Sequence, residues 1–416
     1  MIKQALGLLK RKFILLICLL FGASLLYCAI FPERHDFNPV THTSCLHSKE
    51  YDLSLSGKLI LMPQEVYKSD VDVRRVFSTE TVLFDLKTGQ TSLLDETHKT
   101  GNYFVSPDGK SLAYVELNAE NEQDTPTLVV RSYKGGEKRF HMQTGQSIAY
   151  WLGNDSLVLA KRIVDHLPEV SILNLTAMEI NTFTPGYPNV ITGKTHYWFW
   201  DNTWPAVGVY SPDQTRVIYP DNTEYFDPTY IPYGQYYVDS FYANLVLYDE
   251  ESQRELLQIP QARKLDEIQW KRDGSGFFLA SDNIPIGKDI NWEAPDIRFI
   301  DRDGGLLWKI KFSDINHIRY GLIYEISLSP DERYLGVQTS VPFFFEGWAL
   351  FINPQTGDIY DYCLPEDYPS AWSPDSKSFV FAYDNDDLNS RIRIMDIENE
   401  KLYQLIDGYV PVGWVK

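Results

Sequence analysis

The chain has 416 residues and a formal net charge of −19, from 38 basic and 57 acidic residues. Four basic residues, Lys3, Lys10, Arg11 and Lys12, lie within the first twelve positions, which leaves 34 basic against 57 acidic residues in the remainder. Because so acidic a remainder repels phosphate backbones, the composition argues against nucleic acid as a partner.

Residues 13–31 form an uncharged apolar run, FILLICLLFGASLLYCAIF. As a helix it would span about 28 Å, close to the thickness of a bilayer core. The basic cluster precedes the run and Glu33 follows it. By the positive-inside rule, residues 1–12 are a cytoplasmic segment and residues 13–31 a single transmembrane signal anchor. We therefore predict a membrane protein whose larger part is extracytoplasmic, in the periplasm or at the cell surface.

A cleaved signal peptide is the alternative, with Gly22 and Ser24 as small residues before a possible cut. It is less favoured because apolar sequence continues past that cut. A lipoprotein is less favoured still, because Tyr27 precedes Cys28 where a small residue would be expected. Each version exports the larger part of the chain.

Residues 32–50 are predicted as a linker. Cys18 and Cys28 lie in the anchor, so only Cys45 and Cys363 would meet an oxidising compartment, and the sequence leaves open whether they pair. His42, Cys45 and His47 could bind copper or zinc, but a plain polar tether is favoured since a fourth ligand is not evident. We predict no metal and no cofactor.

Residues 51–416 contain a repeated turn between short apolar runs. Ser-Pro-Asp occurs at residues 106–108, 211–213, 329–331 and 373–375, and weaker turns begin at Ser56, Gly153 and Arg272. Pro and Asp suit a tight turn and the Ser side chain can bond the local backbone. Each turn therefore joins two antiparallel strands, a and b, and a c–d hairpin follows.

Strand a is missing from the first repeat, while the chain ends in YVPVGWVK, which has the pattern of a lone strand a. A ring of four-stranded sheets closes well when the C-terminal strand completes the N-terminal sheet, because exposed edges disappear. The sequence therefore predicts an all-β, seven-bladed β-propeller over residues 51–416. A β-sandwich or an open solenoid would not explain the split first repeat.

The repeats VSPDGKSLAYVE from Val105 and WSPDSKSFVFAY from Trp372 resemble the TolB-like, WD-like propeller family. The resemblance covers about residues 51–416. It also extends to the propellers of prolyl-oligopeptidase-type proteins, but no Gly-x-Ser-x-Gly elbow occurs and no sequence remains for a hydrolase domain. TolB-type proteins have an additional small domain, which an anchor and a linker replace here, so their partners are not transferred.

Two long loops are unusually aromatic, and propeller topology places both on one face. One spans residues 185–205 and the other residues 220–244. Because Tyr and Trp dominate binding hot spots, we predict ligand-binding residues in these loops. They are Trp198, Trp200, Trp204, Tyr225, Tyr230, Tyr233, Tyr236 and Tyr237. Packing of these aromatics on the propeller and on one another is the alternative.

Further loops on the predicted binding face are acidic, and one of them, residues 384–389, is a conceivable calcium loop. It lacks the Gly and the distal Glu of an EF-hand, so a solvated acidic loop is favoured. The sequence as a whole predicts a non-catalytic scaffold that binds a protein or a glycan. The alternatives are a propeller-type polysaccharide lyase or glycosidase, and a structural subunit of a membrane complex.

Overall fold

The computed structural model describes residues 40–63, 81–94, 103–116, 126–133, 135–161, 169–183, 208–221, 243–262, 268–281, 295–312, 322–341, 346–384 and 390–416. All of these residues belong to one unit, Pro39–Lys416. Within these ranges no helix is long and apolar enough to span a bilayer. The predicted anchor, residues 13–31, lies outside the described residues.

Blades 2 to 5 are antiparallel sheets of four strands, and in each of them the strands pair in chain order a, b, c, d. Blade 2 consists of Phe104–Val105, Ser111–Glu116, Thr127–Ser132 and Glu137–His141, and blade 3 of Gln146–Trp151, Ser156–Lys161, Glu169–Asn174 and Glu179–Phe183. Blade 4 consists of Val209–Tyr210, Arg216–Asp221, Ala243–Asp249 and Arg254–Ala262, and blade 5 of Ile268–Trp270, Gly276–Ser281, Asp296–Asp301 and Leu306–Lys311.

Blades 6 and 7 share one long strand. Blade 6 consists of Leu322–Leu328, Leu335–Val341, Glu346–Ile352 and the first part of Ile359–Trp372. The last part of that 14-residue strand is strand a of blade 7, followed by Ser378–Asp384, Ser390–Asp396 and Lys401–Asp407. The repeat pattern predicts a separate strand d and strand a here; the structure instead has one continuous strand, whose pairing with Ser378–Asp384 shifts register between Asp367 and Ser370.

Blade 1 is closed by the C-terminus of the chain. Its strands are Tyr409–Val415, Lys58–Pro63, Val82–Asp85 and Gln90–Leu93, in that order. Tyr409–Val415 runs antiparallel to Lys58–Pro63, with Val415 opposite Lys58. The predicted seven-bladed propeller, with its first sheet completed by the last strand, is therefore confirmed.

The end of the predicted linker adds two short strands to the outer edges of blades 6 and 7. Thr41–Thr43 runs parallel to residues 359–361, and Ser48–Glu50 runs parallel to residues 402–404. Between the two strands, Cys45 forms a disulfide with Cys363 on strand d of blade 6. The sequence had left this pairing open, and the bond fastens residues 40–50 to the propeller.

Apolar cores fill the spaces between neighbouring blades. Each strand alternates its side chains between the two faces of its sheet, so a central strand supplies residues to the core on either side. Strand b of blade 7 shows this alternation: Phe379 and Phe381 pack toward blade 6, while Val380 packs toward blade 1. All three side chains are completely buried.

Tryptophans at the end of strand a join neighbouring blades through hydrogen bonds. The Nε1 of Trp151 in blade 3 donates to the carbonyl of Phe104 in blade 2 at 3.0 Å. The same bond links blade 5 to blade 4, from Trp270 to Val209 at 3.1 Å, and blade 7 to blade 6, from Trp372 to Ser327 at 3.0 Å. An aromatic residue before the turn therefore sets the spacing of adjacent blades as well as filling the core.

The Ser-Pro-Asp turns hold strands a and b together as their composition predicted. In the first turn the hydroxyl of Ser106 donates to Oδ1 of Asp108 at 2.8 Å and accepts from the backbone N–H of Ser111 at 2.9 Å. Oδ1 of Asp108 also accepts from the N–H of Lys110 at 3.1 Å. The same bonds recur in the turns at Ser211, Ser329 and Ser373.

The turn carboxylates are held in the ionised form. Burial by itself raises the pKa of Asp108, but hydrogen bonds from Lys110 and Ser106 outweigh it and the net pKa is lowered. The pKa values of Asp213 and Asp331 are lowered in the same way, against the effect of burial. These carboxylates therefore stabilise the fold above their ordinary pKa of 3.8. Their contribution is lost as the pH falls through the folded-state value.

We expect the variant Asp108→Asn/Asp213→Asn/Asp331→Asn to lose less stability in acid than the parent chain. Asn keeps the Oδ1 acceptor of each turn but does not titrate. Thermal midpoints measured from about pH 6 to about pH 2 should therefore fall less steeply for the variant. Equal slopes for the two chains would contradict this assignment.

Candidate functional site

Strand order assigns the connections to two faces of the propeller. The a–b and c–d turns lie on one face, called here the short-turn face, and the b–c and d–a connections lie on the other, the long-loop face. The first aromatic segment joins Glu179–Phe183 to Val209–Tyr210, and the second joins Arg216–Asp221 to Ala243–Asp249. Both segments are thus attached at the long-loop face, beside blade 4.

The eight aromatic residues predicted to bind ligand all lie outside the described residues, between Phe183 and Gly208 or between Asp221 and Ala243. Trp198, Trp200, Trp204, Tyr225, Tyr230, Tyr233, Tyr236 and Tyr237 therefore remain a prediction. So does the acidic loop at residues 385–389. What the structure does describe at this face are the strand ends from which the loops depart.

On the short-turn face, charged groups bond neighbouring blades to one another. Arg302 of blade 5 donates to Asp213 of blade 4 at 3.1 Å. Glu332 of blade 6 accepts from the backbone N–H of Arg272 in blade 5 at 2.6 Å. These charged groups are paired within the propeller, so they do not need a ligand to compensate them.

A cleft of about 250 Å³ also opens on the short-turn face, between residues 54–56 and blade 7. Its charged residues are largely matched with one another, as in the 2.8 Å ion pair between Lys377 and Glu398. The hydroxyl of Ser54 bonds the hydroxyl of Tyr403 across the cleft at 3.3 Å. The volume is small for a ligand pocket, and the polar groups that line the cleft bond one another, so a structural role is favoured.

At the long-loop ends of the strands, two blades contain a carboxylate that is buried and paired with cations. Glu116 in blade 2 is 7% exposed and accepts two hydrogen bonds from Arg139, at 2.6 and 3.1 Å. Asp296 in blade 5 is fully buried and accepts from Nε of Arg298 at 2.8 Å, while Lys309 completes the group. Buried charges of this kind are stable because each one is matched.

Blade 7 differs, because two arginines occur at its long-loop end without a matching buried carboxylate among the side chains that the structure describes. Arg391 and Arg393 lie two positions apart at the start of strand c, so they point to the same side of the sheet. Met395, the next residue in this alternation, packs toward blade 6. The two arginines therefore face the space between blades 6 and 7.

The guanidinium of Arg393 is desolvated. It stacks over the ring of Tyr383 with 4.2 Å between Cζ and the ring centroid. Burial lowers the pKa of Arg393; Tyr383 opposes this shift and the like charge of Arg391 adds to it. Nε of Arg391 and Nε of Arg393 are both buried without a hydrogen-bond acceptor in the described part of the chain.

No metal centre is found among the described residues: no three His, Cys, Asp or Glu side chains there converge on one point. A metal site formed by His42, Cys45 and His47 together is excluded, because the sulfur of Cys45 is in a disulfide with Cys363. His42 instead stacks on Tyr360, with 5.2 Å between ring centroids. The polar-tether interpretation of these residues is thus closer to the structure, with the tether fixed to blade 6.

Solved structures similar to the chain have low identity to it. TolB from Acinetobacter baumannii is 12% identical, with 81% of this chain and 78% of TolB covered and a TM-score of 0.41. The propeller domain of the Trilobed protease from Pyrococcus furiosus is 13% identical, with 79% and 87% covered and a TM-score of 0.48. Oligogalacturonate lyase from Vibrio parahaemolyticus is 12% identical, with 84% and 86% covered and a TM-score of 0.47. No protein-family model and no curated protein matches the chain.

The strand order defines the class of protein: a seven-bladed β-propeller closed by its C-terminal strand. TolB, whose family the Ser-Pro-Asp repeats resemble, is among the solved structures similar to the chain. This likeness concerns the fold alone.

The arginine pair of blade 7 was missed by sequence reasoning, although a signal for it exists. In the strand SRIRIMD, Arg391 and Arg393 alternate with Ile392 and Ile394, which are completely buried. In a central strand of a propeller both faces of the sheet are covered, so the residues between the isoleucines also face a core. Two arginines at such positions require either carboxylate partners or an anionic ligand.

Proposed function

We propose that this chain is an exported, membrane-anchored propeller that binds a protein or a glycan through its long-loop face and performs no chemistry. The observation that carries the proposal is topological. Both aromatic segments are attached to strand ends on one face of a closed ring. A rigid scaffold of this kind presents its loops together, which is the arrangement that binding proteins commonly use.

The disulfide supports export. Cys45–Cys363 joins two segments that are 318 positions apart in sequence, and structural disulfides persist in oxidising compartments outside the cytoplasm. The apolar run at residues 13–31, with basic residues before it, supplies the proposed anchor. An anchored propeller outside the cytoplasm would meet extracellular or envelope ligands.

The test compares capture of partners by the full chain, purified in detergent, with capture by the variant Trp198→Ala/Trp200→Ala/Tyr233→Ala/Tyr236→Ala. We expect the variant to lose most of its binding to envelope proteins and to an array of glycans, because aromatic side chains dominate binding energy at such surfaces. Thermal midpoints of both chains report whether the variant folds.

A matched control changes four exposed apolar side chains elsewhere on the propeller to Ala. Leu93, Ile180, Leu306 and Leu307 are 43–51% exposed and lie on outer strands. This control should bind like the parent. Equal capture by the parent and the aromatic variant would refute the proposed binding face, and turnover of a polysaccharide by the parent would refute the non-catalytic role.

A further inference from the structure

Three arginines elsewhere in the described structure are each paired with a buried carboxylate, although the side chain of one of them, Arg139, is itself 49% exposed. Arg139 is paired with Glu116, Arg216 with Asp249 at 3.1 Å, and Arg298 with Asp296. In each case a carboxylate that is itself buried compensates the guanidinium. Removing a cation from water without such compensation is unfavourable.

Among the side chains that the structure describes, no buried carboxylate compensates Arg391 or Arg393. Of the carboxylates whose side chains the structure describes, that of Asp407 pairs with Arg391, and its Oδ1 lies 4.0 Å from Nε of Arg391. That distance is too long for a hydrogen bond, and the Asp407 side chain is 55% exposed. Arg393 is stacked on Tyr383 and has no ion pair there. This arrangement is unexpected in a chain with a net charge of −19, where carboxylates are abundant.

The position of the pair makes it accessible from one direction. Strand c of blade 7 begins at the long-loop face, and Arg391 is its second residue. The Arg391 side chain is 33% exposed, whereas Phe381 and Met395 behind the pair are completely buried. A ligand would therefore approach from the long-loop face, and an apolar floor would keep water from competing for the guanidinium groups.

We propose that Arg391 and Arg393 bind one oxyanion group, a carboxylate or a phosphate, that enters from the long-loop face between blades 6 and 7. A guanidinium presents its Nε and Nη donors as a planar fork that matches two oxygens of such a group. The buried Nε atoms would find acceptors and the like charges of the two arginines would be neutralised. Tyr383 orients the fork of Arg393 by stacking beneath it.

The experiment measures thermal midpoints of the full chain with inorganic phosphate or glucuronate, against chloride at matched ionic strength. The parent chain should be stabilised by at least one of the two anions at millimolar concentration. Arg391→Gln/Arg393→Met should bind that anion about tenfold to hundredfold more weakly, because charge-assisted hydrogen bonds are lost. A shift of the thermal midpoint with phosphate alone, with glucuronate alone or with both shows which oxyanion the site accepts.

Two controls separate this site from general charge effects and from the proposed loop site. Arg254→Gln removes an exposed arginine at the short-turn end of blade 4 and should keep the response to anion. The quadruple aromatic variant should also keep it, because the arginine site needs none of the loop aromatics. In chloride, Arg393→Met should be at least as stable as the parent, since an uncompensated buried charge is replaced by an apolar side chain of similar length. A parent without an anion-specific shift, or a double arginine variant that retains it, overturns the proposal.

Discussion

Deletion of residues 409–416 should prevent the chain from forming a stable propeller. The deleted strand buries Val410, Trp414 and Val415, which are 3%, 3% and 0% exposed. Loss of a buried Trp side chain alone costs about 3–5 kcal/mol. Because domains are stable by about 5–15 kcal/mol in total, loss of the whole strand is comparable to the stability of the fold.

The effect is not confined to blade 1, because the last strand contacts both neighbouring blades. Trp414 packs in the core between blades 7 and 1, and Val415 packs in the core between blades 1 and 2. The backbone N–H of Lys416 donates to the carbonyl of Gly109 in blade 2 at 3.0 Å. A Cβ atom added at Gly57 would lie only 2.6 Å from Nε1 of Trp414, so the last strand packs closely against this turn.

Circular dichroism and limited proteolysis of the truncated chain would measure the loss. Lys416→Ala is the matched control: it keeps the strand and its backbone hydrogen bond, so it should change stability by less than about 0.5 kcal/mol. The stability of Trp414→Ala should lie between those of the truncated chain and Lys416→Ala, with a loss of about 3–5 kcal/mol in the free energy of unfolding. If the truncated chain unfolds cooperatively at the temperature of the parent, closure by the C-terminal strand does not stabilise the ring.

Replacement of the disulfide by Cys45→Ser/Cys363→Ser should lower the free energy of unfolding by about 2–5 kcal/mol. The bond joins residues 318 apart, so it restricts the unfolded chain over most of its length. It also reinforces two short strands that are otherwise held mainly by backbone pairing and by the stack of His42 on Tyr360. Thr41–Thr43 and Ser48–Glu50 are three residues long and all their side chains are exposed.

Reduction provides the matched control for this prediction. Dithiothreitol should lower the thermal midpoint of the parent to that of the double variant, and should leave the variant unchanged. Because the variant retains Cys18 and Cys28, an effect of the reductant on those cysteines would appear in both chains. Amide exchange should accelerate most at residues 41–50. A parent that is insensitive to reduction would contradict a stabilising role for the bond.

The sequence predicted the architecture well because blade formation depends on patterns that are local in sequence. The Ser-Pro-Asp turns at Ser106, Ser211, Ser329 and Ser373 mark where strands a and b meet, and the hydrogen bonds that make the turn lie within six residues. Once seven turns and six internal strands a were assigned, the closing strand at Tyr409–Val415 followed by elimination.

Features that depend on contacts distant in sequence were not predictable in the same way. Thr41–Thr43 and Ser48–Glu50 are polar and have no alternating pattern, since they pair through their backbones with edges that other blades supply. The partner of Cys45 is likewise set by the position of blade 6. At the arginine pair, residue types alone do not show whether a carboxylate from another strand lies opposite. The predicted loop aromatics lie outside the described residues, so that prediction awaits the binding experiment.

The attachment of Cys45 to blade 6 also determines how the propeller would respond to mechanical load. A pulling force applied to the chain before Cys45 reaches strand d of blade 6 through a covalent bond. Residues 46–56, which pass along blade 7 to blade 1, are thereby relieved of tension. Hydrogen-bonded edge strands separate one bond at a time when they are peeled, whereas a disulfide does not. If the chain is anchored as proposed, a force on the anchor would therefore enter the ring at blade 6 and bypass the closing blade.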